Sequence, residues 1–159
     1  MINKIFKRTF LFVAVSIFSF SLHAADWTMA SGYPKSNFHT QNIIKFIDDV
    51  KSTTSVNINL NPNDTLIKLD AIKTSLQRGQ IPIGEIRLGI YGNEDPMYIL
   101  AGLPFIAPDY SSAWLLKDVQ MEYLQEKFDK KGLMILYTAP WPGHGFYTKF
   151  PVNSVSDFS

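Results

Sequence analysis

The sequence predicts an α/β fold, a mostly parallel sheet with flanking helices. Short apolar, β-branched runs alternate with amphipathic stretches in the order βαβαβ, then helix, then β. Turn-forming residues separate these elements, and no internal repeat or low-complexity run interrupts them.

Trp27 to Ala30 reads as a short strand that runs into SGYPKSN, a segment of turn chemistry. Ser36 or Asn37 is placed to cap a helix beginning near Phe38, with Asn37 read as a cap rather than a ligand contact and His39 as a solvated first-turn residue. Ile43, Ile47 and Val50 recur at helical spacing, Ile44 and Phe46 widen the stripe, and Thr53-Thr54-Ser55 ends it. Val56, Ile58 and Leu60 alternate with Asn57 and Asn59 in a half-buried strand closed by Asn61-Pro62-Asn63. Asp64 or Thr65 is expected to cap a second helix, with Leu66, Leu69, Ile72 and Leu76 on its apolar face and Gly79 as its left-handed stop. Ile81, Ile83 and Ile86 then form a strand. Beyond Pro96 and Pro104, Ser111 or Ser112 is expected to cap a third helix in which Ala113, Leu116, Val119, Tyr123 and Leu124 face inward. Gly132 closes it near Asp129, and Leu133 to Tyr137 is expected as a further strand.

Residues 1–24 have the pattern of a secretory signal peptide: Lys4, Lys7 and Arg8, an apolar core from Phe10 to Phe20, and a cleavage-like Leu22-His23-Ala24. That core is shorter than a membrane span needs, so the mature protein is expected in the periplasm, not embedded in a membrane. The signal holds three bases and no acid, which leaves 12 basic against 14 acidic residues and a mature charge near −2. Such a balance gives no support for nucleic-acid binding. The absence of cysteine excludes disulfides and thiolate metal sites.

No catalytic constellation is visible. His39 and His144 form no metal-ligand spacing, and there is no G-x-S-x-G elbow, P-loop or dinucleotide fingerprint. Glu94 and Asp95, adjacent and before Pro96, read as turn and cap chemistry rather than paired acids. No enzyme, cofactor or metal role is therefore expected. Glu85 stands out instead, because a carboxylate at the carboxyl end of a parallel strand lies where open α/β sheets bind ligands. Pro140-Trp141-Pro142-Gly143-His144-Gly145 forms an irregular turn after Leu133–Tyr137 and displays Trp141 and His144 at the same end of the sheet.

The runs GYPKSNFHTQN (32–42), GQIPIGE (79–85), NEDP (93–96), LPF (103–105) and PWPGHGFYTKFPVNSVSDF (140–158) resemble the substrate-binding proteins of TRAP transporters across nearly all of the mature chain. The resemblance implies a periplasmic-binding-protein-like fold of type II, with two lobes closing on a small organic-acid solute. It also implies delivery of that solute to TRAP membrane subunits driven by an ion gradient. The present chain resembles essentially one lobe: an incomplete N-terminal lobe over 25–145, then the start of a crossover over 146–159, with Phe146 to Lys149 as a crossing strand and a turn at Val155 to Phe158. The family's main carboxylate clamp is an arginine beyond the stretch matched by Pro151 to Phe158, so the resemblance implies a truncated receptor that binds solute weakly or not at all.

Under that resemblance Glu85 accepts bonds from a ligand hydroxyl, amine or water, and Trp141 supplies a flat wall. Tyr33 and Phe38 line the cleft mouth from the end of the first strand. His144 stands where some relatives have glutamine or arginine. Each has a plainer alternative: a solvated carboxylate for Glu85, lobe packing for Trp141 and a surface imidazole for His144. The aromatic set favours a solute with a sizeable apolar face. The alternatives are an exported hydrolase or a domain with a purely protein-interaction role.

Overall fold

The computed structural model describes residues 25–143 and 147–158. The expected signal peptide, His144 and Phe146 lie outside the described residues.

Three parallel strands, β1 (Asp26–Ala30), β2 (Asn57–Asn61) and β3 (Ile83–Gly84), form a sheet in the order β2-β1-β3. Trp27 pairs with Ile58, and Met29 pairs with Leu60 on one side and Ile83 on the other. Helix α1 (Phe38–Thr53) connects β1 to β2. Its cap is Asn37, whose Oδ1 accepts from the His39 N–H at 2.8 Å. Because side chains alternate across a strand, Met29, Ile58 and Ile83 share one face and pack with Ile43 of α1, while Ala30 on the other face packs with Ile72 and Ile81. Helices therefore cover both faces of the sheet.

The second helix starts later than its sequence suggests. Asn63 and Asp64 both have positive φ, near 58° and 57°, so no helix can begin at them. The Asp64 carboxylate instead accepts from the Leu69 N–H at 2.9 Å, opening a 3₁₀ turn at Leu69–Ala71 and then α2 (Ile72–Gln77). Gly79 ends it with φ 66°, as expected. Gly84 permits the close approach of α2, since a Cβ there would lie 2.7 Å from Ile72 Cγ2.

Two 3₁₀ helices, Leu88–Tyr91 and Pro96–Gly102, occupy the segment read only as a proline-rich connection. Asp95 caps the second, accepting from the Met97 N–H at 3.0 Å ahead of Pro96. Helix α3 (Tyr110–Asp129) follows, capped by Asp109 rather than Ser111 or Ser112, with Asp109 Oδ1 accepting from the Ser112 N–H at 2.8 Å. Its buried positions are Gln120, Leu124 and Phe128, whereas Val119, expected inside, is 72% exposed.

Leu133–Tyr137 joins no strand ladder among the described residues, contrary to expectation. The alternation is real: Leu133 and Ile135 pack against Tyr91, Tyr98, Leu124 and Phe128, while Met134 and Leu136 face solvent. An extended segment with one packed face still needs a hydrogen-bonded neighbour to be a strand, and β3 spans only two residues. Residues 147–149 likewise form no strand, and Val155–Phe158 makes a single 3₁₀ turn.

Polar groups tie α2, the Pro96 turn and α3 together. Lys73 of α2, with a side chain only 2% exposed, pairs with Glu94, which also binds Lys131. The Lys73 ammonium lies 4.2 Å from the centre of the Tyr91 ring. Asp95 accepts from Tyr123 Oη at 2.7 Å and pairs with Lys127 at 3.1 Å. The cap reading of Asp95 holds, and Glu94 is an ion-pair hub.

Candidate functional site at the carboxyl end of the sheet

The parallel strands deliver their next residues to one edge of the sheet. Ser31 follows β1 and is fully buried; Glu85 follows β3, and its N–H donates to the Ala30 carbonyl at 2.9 Å. That register sets the two side chains together, and the Ser31 hydroxyl donates to Glu85 Oε2 at 2.5 Å. Ser31 Oγ also accepts from the Tyr33 N–H at 3.3 Å, which turns the chain away from the sheet. Burial raises the Glu85 pKa above its ordinary value, opposed by the Ser31 hydrogen bond. Glu85 is thus a partly desolvated carboxylate held by one neutral donor.

Trp141 comes to this edge from the turn after Pro140. Its ring meets Tyr33 at 5.4 Å, Phe38 at 5.5 Å and His39 at 4.4 Å between centroids, all in edge-to-face arrangements. Phe38 and His39 stand in the first turn of α1, where the Asn37 cap fixes the helix entry. His39 is only 5% exposed, which corrects its reading as a solvated residue: α1 turns the imidazole inward, against Trp141 and Phe38. Burial lowers its pKa, favouring the neutral ring. Two polar atoms of this cluster, Tyr33 Oη and His39 Nε2, are buried without a hydrogen-bond partner among the described residues. The structure therefore brings Tyr33, Phe38 and Trp141 into contact, and Glu85 joins them through Ser31; His144 lies outside the described residues.

Arg87 was not singled out in the sequence. Its Cζ lies 5.8 Å from the centre of the Trp141 ring, and the guanidinium also acts on Tyr33. Burial raises the Tyr33 pKa most, Arg87 lowers it and Glu85 raises it. The signal that could have found Arg87 is the spacing E-I-R, because residues i and i+2 of an extended segment lie on one side.

A groove of about 1130 Å³ lies elsewhere, between α1, α3 and residues 135–140. It shares Phe38 and His39 with the aromatic cluster but is not lined by Glu85 or Trp141. Specific small-molecule sites combine apolar walls with a few convergent polar groups. The strand-end cluster has those convergent groups, so it is the better candidate. No group of three His, Cys, Asp or Glu side chains suited to a metal occurs among the described residues, and no helix there is long and apolar enough to cross a membrane.

A family model described as DctP, bacterial extracellular solute-binding protein, family 7, matches residues 29–159. Among solved structures, DctP6 of Bordetella pertussis, an extracytoplasmic solute receptor binding pyroglutamic acid, is 39% identical with a TM-score of 0.72, over 74% of this chain and 40% of its own. DctP7 of the same organism, also binding pyroglutamic acid, is 35% identical with a TM-score of 0.78, over 84% of this chain and 45% of its own. A marine metagenome TRAP solute binding protein specific for pyroglutamate is 34% identical with a TM-score of 0.77, over 85% and 45%. No curated protein matches the chain. The chain spans less than half the length of these solved receptors.

Proposed function

The chain belongs to family 7 of the bacterial extracellular solute-binding proteins, and on that footing we propose that it captures a small carboxylate solute in the periplasm for delivery to the membrane subunits of a TRAP transporter. Residues 25–145 then form one wall of the solute cleft, and 146–159 lead toward a second lobe. The observation that carries this reading is the convergence of Ser31, Glu85 and an aromatic wall around Trp141 at the carboxyl ends of parallel strands. Glu85 accepts a donor of the solute, and Tyr33, Phe38 and Trp141 cover its carbon skeleton. Pyroglutamate is the first solute to test, because the receptors at 34–39% identity are described as binding it.

A single wall has no closure to trap a ligand, so a polypeptide of these 159 residues alone should bind weakly, with Kd on the order of 1 mM. Titrating pyroglutamate, malonate and proline into the chain while following the Trp141 indole N–H by NMR tests this. A saturable shift with pyroglutamate supports the reading. Silence toward every acid, or submillimolar affinity from this single wall, contradicts it.

A further inference from the structure

We infer that Arg87 is the carboxylate anchor of this lobe, and that the site selects a small acid carrying an N–H or O–H donor at the end opposite its carboxylate. The inference deepens the receptor reading and rests on it.

Arg87 has the position and the freedom to act this way. Its guanidinium lies over Trp141 and beside Tyr33, within the cluster that Glu85 joins through Ser31. Glu85, two residues away, takes its hydrogen bond from Ser31, and Arg87 makes no ion pair among the described residues. Lys73, Lys127 and Lys131, by contrast, each pair with a carboxylate. An exposed arginine held over an indole and left without an anion keeps its fork of donors for one from outside, and a bidentate carboxylate fits that fork best. The cation–π contact with the indole favours a guanidinium position near this cluster, which reduces the ordering cost of binding.

Glu85 and Arg87 together define the ligand's two ends. Two positions along an extended chain separate their Cα atoms by about 6.6 Å. That separation suits one small molecule presenting a donor to Glu85 and a carboxylate to Arg87. The partly exposed indole beside Arg87 is a surface on which a flat ring can lie. A dicarboxylate without a donor would bring a second negative charge against Glu85, and a neutral amide would leave Arg87 unmatched.

The test compares pyroglutamate with its neutral carboxamide on the full chain, using the Trp141 indole signal as the probe. Arg87→Gln should weaken pyroglutamate binding about tenfold and leave carboxamide binding unchanged, with Arg87→Lys intermediate because it keeps charge but loses the fork. Equal pyroglutamate affinity in wild type and Arg87→Gln would overturn the inference and leave the receptor reading standing. Equal weakening of both ligands would also overturn it, by assigning Arg87 a structural role. If wild type responds to neither ligand, the receptor reading fails and this inference fails with it.

Discussion

Around Lys73 every buried charge has met its opposite. The Lys73 ammonium pairs with Glu94 and faces Tyr91, Glu94 holds Lys131 as well, and Asp95 holds Tyr123 and Lys127. Around Trp141 the polar groups are comparably desolvated but unmatched: Tyr33 Oη and His39 Nε2 have no partner among the described residues, and Glu85 has only a serine. Both regions bear the cost of removing polar groups from water, and only the first recovers it within the fold. Matched polar clusters lock elements together. Unmatched ones that surround a crevice mark where a second molecule can supply the missing half.

If that contrast is real, substitutions on the two sides should separate stability from binding. The largest effect is expected from Glu94→Gln, which leaves the 2% exposed Lys73 without its carboxylate and should cost about 3 kcal/mol in urea unfolding. Adding Lys73→Met to that variant should recover most of the loss, because an apolar chain of similar length replaces the stranded cation. A Glu94→Gln protein as stable as wild type would dissolve the distinction. On the other side, Trp141→Ala should weaken pyroglutamate binding about tenfold, roughly 1.4 kcal/mol, and shift the unfolding midpoint little. Because that variant loses its own indole signal, ligand-observed NMR is the suitable readout.

A smaller effect is expected at the junction of the two behaviours. Ser31→Ala removes the one hydrogen-bond donor that Glu85 has among the described residues, from a fully buried position, and should cost about 1 kcal/mol. Equilibrium unfolding at neutral pH measures it, and no change would mean that Glu85 is satisfied by water. The smallest and most gradual effect concerns acid. Hydrogen bonds from Tyr123 and Met97, and then Lys127, lower the Asp95 pKa from 3.8 to about 2. A carboxylate lowered by folding gives stability that is complete above its ordinary pKa and lost as pH falls through the folded value. The protein should therefore weaken progressively between about pH 4 and pH 2, and Asp95→Asn should flatten that limb when urea midpoints are followed with pH.

Elements whose signals are local could be read from the chain before folding: the Asn37 cap, the alternation of β2, and the glycine stops at Gly79 and Gly132. Glu85 was legible as a strand-end residue because parallel order sends it to the carboxyl edge, whereas Trp141 reaches that edge without the strand expected before it. Misreadings arose where a local signal had two outcomes. Asp64 was expected to cap the helix, but its left-handed backbone leaves it outside; its carboxylate accepts from the Leu69 N–H, and neither the 3₁₀ turn nor α2 has a side-chain cap at its own N-cap position. Asp109 lies two and three residues ahead of the expected Ser111 and Ser112 and takes the role by accepting from the Ser112 N–H. His39 followed the helix rather than the polarity of its own ring. Arg87 escaped notice because an exposed arginine is ordinary until a neighbouring indole gives it a place.

The segment Leu133–Tyr137 carries a consequence of another kind. It reads LMILY, extended, uncharged and free of proline, with Met134 72% and Leu136 51% exposed. A run of that composition without a ladder partner is a template on which another extended chain can add, and repetition of that event builds cross-β stacks. Leu136→Lys, which places a charge on this exposed run, should therefore slow aggregation of the polypeptide in concentrated solution, as light scattering would measure.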